Sequence, residues 1–296
     1  MENSSLKKNP EKNASKEKHF LALLNVASEV EPVMETAAAL AGLYKGKITA
    51  QNFVVVPPQT PLSVGIRYAE GPSKNLRIAS QYFSQNLPAE FRLLLSHDRR
   101  LSILNTTHEK NIDYVILGFK GCIDIYKNLK KALSKIPTNV LILRSLPNKK
   151  ICDCSRILVP LLKGPHTSLA VDIAGGLAEA FGKDLCVYHE FEPQISEEIK
   201  VQVLDKLDSR SGLKHLERIT SGHNSIISSI LKDVKEDNLL ILPAYKPLLG
   251  SWFRLRRRGS PLLKDIIQES VGPVMIVKKH EPSTGFFQKI LKRERN

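Results

Sequence analysis

From His19 onward, short apolar runs alternate with segments of helical spacing, and the pattern is run through twice. In the first pass Phe20–Leu24 reads as a buried strand and Val33–Tyr44 as an Ala- and Leu-rich helix. Ile48–Val56 reads as a strand closed by Pro57 and Pro58. A helix near Lys74–Ser84, a strand at Phe91–Leu95 and a helix at Leu101–Lys110 follow. Then come a strand at Tyr114–Leu117 stopped by Gly118, a helix at Leu129–Ser134 and a strand at Asn139–Leu143. The second pass gives strands at Ile157–Pro160, Leu185–Phe191, Leu216–Thr220, Leu239–Leu242 and Pro273–Val277. Its helices are Leu169–Phe181, Glu197–Leu207, Ser225–Val234 and Pro261–Glu269. Strands that are apolar without alternation, separated by helices, predict a parallel sheet covered on both faces.

The two passes superpose at an offset of about 137 residues, which brings Phe20 onto Ile157, Leu40 onto Leu177 and Ile48 onto Leu185. The predicted fold class is therefore α/β, with two tandem doubly wound five-stranded parallel-sheet domains. Residues 1–18 read as a polar, disordered tail, 19–147 as the first domain and 148–154 as a linker. Residues 155–280 read as the second domain and 281–296 as a basic tail. A chain of 296 residues gives each half enough length for a core without disulfides.

The charge changes the picture because of where it sits. The net charge is +14, and four segments account for all of it. Residues 1–18 carry five Lys against three Glu, and 120–135 five Lys against one Asp. Residues 246–258 carry five cations and no anion, and 278–296 six Lys or Arg against two Glu. Cations concentrated this way point to an anionic partner, whether phosphate, nucleic acid or lipid headgroup. Arg254, Arg256, Arg257 and Arg258 are the sharpest case, because guanidinium is the planar, bidentate phosphate ligand. The tail around Phe286, Phe287, Ile290 and Leu291 forms an amphipathic pattern with Lys289, Lys292, Arg293 and Arg295. That pattern suits docking on the protein's own surface or an anionic membrane.

Other chemistry finds little support. Cys152-Asp153-Cys154 is a single Cys-x-Cys without a second ligand pair, so no zinc site is expected. The eight histidines show no metal-ligand spacing. His189 falls in a strand and reads as a packed residue. No nucleophile elbow and no Walker A loop occur, so no enzymatic activity is expected. No run of 18 uncharged apolar residues exists, and the N-terminus lacks the apolar core of a secretory signal. The expectation is a cytoplasmic protein.

The duplicated strand ends resemble the universal stress protein family in its tandem form. Ile157-Leu158-Val159-Pro160 followed by Gly164-Pro165-His166-Thr167-Ser168 is similar to that family's first strand and its turn into helix one. Asp113–Gly121 is similar to its fourth strand with the start of a glycine loop, and Gly272–Val277 to its last strand. The resemblance implies an intramolecular pseudo-dimer joined through last strands, with a homodimer as a further arrangement. It also implies a ligand crevice at the carboxyl ends of the strands, where the strand order reverses.

Family members that bind ATP carry Gly, two residues, Gly, nine residues, Gly, then Ser or Thr after strand four, so that backbone amides close on the phosphates. The first half keeps Gly118 and Gly121 but has Lys131 and Ala132 at the second pair. Asn25 stands where an Asp contacts the nucleoside. The second half keeps Gly250 and has Gly259 and Ser260 near the second pair, with Pro247 at the leading glycine and Leu162 at the Asp position. The candidate nucleotide or phosphate residues are thus Gly250, Ser251, Arg254, Arg256, Gly259 and Ser260, with Asn25, Gly118 and Gly121 as the first-half set. No cofactor is required; ATP or another nucleotide is the candidate ligand.

Two functions remain open on these residues. One is a non-enzymatic stress-response or regulatory protein binding one phosphate-bearing ligand in its second half. The other is a peripheral regulatory module whose basic loop and tail contact an anionic membrane, a transporter or an acidic protein partner. Nucleic acid is the weakest partner, because no binding motif accompanies the short basic segments.

Overall fold

The structure is a computed structural model that describes residues 17–83, 87–119, 136–147, 149–162, 164–190, 197–210, 213–220, 223–244, 267 and 270–281. The first half supplies β1 (His19–Leu23), α1 (Val30–Leu43), β2 (Lys47–Val55), α2 (Glu70–Ser80), β3 (Ala89–Ser96), α3 (Arg99–Glu109), β4 (Tyr114–Gly118) and β5 (Asn139–Arg144). The second supplies β6 (Arg156–Pro160), α4 (Thr167–Phe181), β7 (Asp184–Glu190), α5 (Glu197–Asp208), β8 (His215–Thr220), α6 (His223–Asp233), β9 (Asn238–Pro243) and β10 (Val274–Lys278). The helices expected at Leu129–Ser134 and Pro261–Glu269 lie wholly or almost wholly outside the described residues.

The described strands form one ten-stranded sheet in the order β3-β2-β1-β4-β5-β10-β9-β6-β7-β8. Every neighbouring pair is parallel except β5 and β10, which run antiparallel with Arg144 opposite Val274 and Val140 opposite Lys278. The expected pairing through last strands is therefore a continuous backbone ladder. The ladders also keep the offset seen in the sequence. His19 pairs with Lys47, and Arg156 with Asp184, each 137 positions farther on.

The inner strands β1, β4 and β9 are buried along their whole length, as their unbroken apolar runs require. One face of the sheet carries a core shared by both halves, in which Met34, Leu40 and Leu177 pack over Phe20, Ile116, Leu141, Ile157 and Met275. Here α1 and α4 approach so closely that a Cβ on Gly176 would lie 2.8 Å from Leu43 Cδ2. Phe20 and Tyr114 stack at 5.0 Å beside Tyr44. On the opposite face α3 places Ile103 over the first half, and α6 places Ile226 and Ile230 over the second.

The start of the first half and the packing of the linker go beyond the sequence reading. Lys18 already belongs to the sheet, since its carbonyl accepts from Lys47 N at 2.9 Å. The linker is docked rather than free. Ile151 and Cys154 are buried, and Glu35 of α1 accepts a 2.7 Å hydrogen bond from Ile151 N. Burial and the Glu35 carboxylate push the Cys152 thiol up to about 11, and burial pushes Cys154 up to about 11. Both are inert thiols at neutral pH. His189 is buried as expected, with Nε2 2.9 Å from Glu217 Oε2.

Candidate functional site

Strand order reverses between β1 and β4 and again between β6 and β9. Each reversal opens a crevice at the strands' carboxyl ends. Because β5 and β10 are antiparallel, the two crevices lie at opposite ends of the sheet.

In the first crevice β1 delivers Leu24 and Asn25, β4 ends at Gly118, and β5 ends at Arg144. Leu24 is fixed on both sides. Its N–H donates to the Gln51 carbonyl at 2.9 Å, and its carbonyl accepts from Asn75 Nδ2 of α2 at 3.0 Å. Asn25 is partly exposed, and its Oδ1 is shielded without a hydrogen-bond partner. A short 3₁₀ turn at Ala27–Glu29 then leads into α1. It plants the Glu29 side chain on Gly118, where a Cβ would lie 2.1 Å from Glu29 Cβ. Glu29 is 4% exposed, and its Oε2 accepts from Ser145 N at 3.1 Å.

Arg144 stands beside it. Its guanidinium donates to the carbonyls of Ile267, Ser270 and Gly272, the last two at 2.7 Å. Burial lowers the Arg144 pKa, and the Glu29 carboxylate opposes that shift. Gly118 and Asn25, foreseen from the sequence, thus face one crevice; Gly121 lies outside the described residues. Glu29, Arg144 and Ser145 were not foreseen. Glutamate is a poor N-cap type, so nothing in the local pattern singled Glu29 out.

The second crevice is built on the same backbone with other side chains. Leu162 is buried at the end of β6, and Thr167 Oγ1 donates to its carbonyl. His166, 137 positions after Glu29, occupies the N-cap of α4 and is 2% exposed. Its Nδ1 accepts from Lys279 N at 3.2 Å, just as Glu29 accepts from Ser145 N. Lys278 stands where Arg144 stands; burial lowers its pKa and Glu281 opposes. Gly118 pairs with Leu143 and Pro243 with Val277, so Pro243 is the strand-end counterpart of Gly118. Pro247, Gly250, Ser251, Arg254, Arg256, Gly259 and Ser260 lie outside the described residues, in the segment that leaves the carboxyl end of β9. Among the described residues no group of three or more His, Cys, Asp or Glu side chains is arranged to hold a metal ion, and no helix is long and apolar enough to cross a membrane.

This architecture is that of the universal stress proteins. A universal stress protein from Archaeoglobus fulgidus superposes with a TM-score of 0.57 at 16% identity, covering 89% of this chain and 97% of that one. The cytoplasmic domain of a prokaryotic cation chloride cotransporter superposes at 0.56 with 12% identity, covering 88% and 95%. A Pseudomonas aeruginosa protein of unknown function gives 0.51 at 10%, covering 94% and 96%. No protein-family model matches the sequence, and no curated protein matches it. The likeness is one of fold.

Proposed function

We propose that this protein is a non-enzymatic regulatory module of the universal-stress type that binds one phosphate-bearing ligand, ATP or another nucleotide, in its second half. The observation that carries the reading is topological. The segment holding Arg254, Arg256, Gly259 and Ser260 leaves the sheet at the carboxyl end of β9, beside β6, at the second reversal of strand order. A crevice framed by the N-terminus of α4 and by Lys278 favours negative charge, and four arginines nearby in sequence add guanidinium donors.

The test is nucleotide extraction from the purified full-length chain, with a thermal-shift titration of ATP on wild type and R256Q/S260A. Bound nucleotide, or an upward shift lost in the double variant, supports the reading. An ATP response equal in both proteins refutes the assignment to this loop, and no nucleotide with no response removes the ligand. The likeness to a transporter's cytoplasmic domain favours a second reading, a regulatory module held at an anionic membrane or a transporter. Under that reading, changing Arg254, Arg256, Arg257 and Arg258 to Gln abolishes binding to anionic liposomes.

A further inference from the structure

The first crevice contains its own negative charge. Three features of an anion cradle meet at the carboxyl ends of β1, β4 and β5: the positive end of α1, the Ser145 N–H and the Arg144 guanidinium. Glycine at position 118 leaves room there for Glu29, since a Cβ would lie 2.1 Å from Glu29 Cβ. Glu29 occupies this cradle. Although it is the N-cap residue of α1, its carboxylate makes no capping bond to the helix amides and turns to Ser145 instead.

The cradle also offers more than a carboxylate uses. Arg144 Nε is buried and has no hydrogen-bond partner, while its other nitrogens serve three backbone carbonyls. The second half makes the same backbone connection with a different group. There Lys279 N–H donates to Nδ1 of His166, so an imidazole stands at the position that the Glu29 carboxylate holds in the first half. The backbone needs an acceptor at this position; it does not need a charge.

We propose that Glu29 is a built-in anion that closes the first crevice to external phosphate, and that its removal converts the crevice into a phosphate site. A phosphate oxyanion has acceptors for both the Ser145 N–H and the idle Arg144 Nε–H, and it meets the same positive field. The inference concerns the first half and stands independently of the arginine-rich segment.

The experiment uses the full-length chain as wild type, E29A and E29Q, each also in the R256Q/S260A background. Melting temperature is followed against inorganic phosphate, with potassium chloride at matched ionic strength, and in parallel against ATP. E29A should gain a saturable rise of roughly 3 °C or more over the wild-type response at ten times Kd, in both backgrounds. A gain with phosphate alone assigns a free oxyanion. A gain at lower ATP concentration assigns a nucleotide phosphate. An E29A response no larger than wild type overturns the proposal, whatever R256Q/S260A does. If E29A does not fold, E29Q decides. It keeps size and an acceptor but loses the charge, and its melting temperature should rise with phosphate more than that of wild type. An E29Q phosphate response no larger than wild type overturns the proposal.

Discussion

Replacing Arg144 by Met should loosen the seam between the halves more than any exposed substitution. Arg144 ends β5, and its guanidinium reaches the carbonyls of Ile267, Ser270 and Gly272, all in the chain just before β10. One side chain thus ties the last strand of the first half to the entry of the last strand of the second. Hydrogen bonds to charged groups contribute about 1.5–3 kcal/mol each, but they are not additive. Removing the guanidinium also removes the cost of its burial, which offsets part of the loss. The net loss should be about 3 kcal/mol, chiefly because shielded carbonyls lose their donor. For a chain of this size that is a fall of roughly 6–12 °C in Tm. R144K keeps the charge without the planar fork and should lose about half as much. Thermal and urea unfolding give the totals. Hydrogen exchange gives the place: amides of β5 and β10 should speed up while those of the edge strands β3 and β8 stay unchanged. A loss below about 1 kcal/mol, or exchange that quickens evenly across the sheet, would refute the role assigned to Arg144.

G118A should cost at least about 2 kcal/mol, because the new Cβ would lie 2.1 Å from Glu29 Cβ; in an E29G background most of that cost should vanish, which a denaturation double-mutant cycle reads directly. Asp98 caps α3 by accepting from Arg100 N and Leu101 N, so D98A should lose about 1 kcal/mol in urea unfolding. His19 is held neutral: burial lowers its pKa from 6.5, helped by Lys47 and Lys110 and opposed by the Lys110 carbonyl and Asp113. Below pH 6.5 the unfolded chain therefore takes up more protons, and stability present above that pH falls as pH drops, by at most about 1.4 kcal/mol per pH unit. The stability difference between wild type and H19Q should shrink between pH 7.5 and pH 5.5; a constant difference would refute the assignment.

The inner strands were legible because each is a short, largely apolar run with no competing period. Phe20–Leu24 and Leu239–Leu242, for example, are buried along their length. Helix starts were read late for a physical reason. The structure starts α1 at Val30 and α2 at Glu70, ahead of the predicted Val33 and Lys74, and Pro32 and Pro72 sit in the first turn, where a missing N–H costs nothing. Residues 148–154 read as a linker because they are polar and short; that Ile151, Cys154 and the Ile151 N–H are held by the core is a tertiary fact with no local pattern. The first crevice was half legible. Asn25 and Gly118 came from the resemblance to the family's nucleotide loop, whereas Glu29 and Arg144 act through contacts more than 100 residues away in sequence.

The repeat itself held the missing signal. An offset of 137 sets Glu29 against His166 and Asn25 against Leu162, so both crevice positions after the first strand had changed their chemistry between the halves. What the structure adds is that the backbone did not change with them. Ser145 N–H and Lys279 N–H donate to the same helix-cap position, at 3.1 Å and 3.2 Å. A duplicated fold that holds this bond fixed is free to vary what accepts it. An acid there brings a negative charge to the helix N-terminus, whereas a histidine brings none. Divergence between the halves is therefore carried by side chains at fixed backbone positions. The pair at 29 and 166 is where exchange should transfer the property: E29H should give the first crevice the anion response that H166E should take from the second, read as phosphate-dependent melting shifts of opposite sign relative to wild type. Shifts of the same sign in both variants would mean that the two crevices do not share this logic.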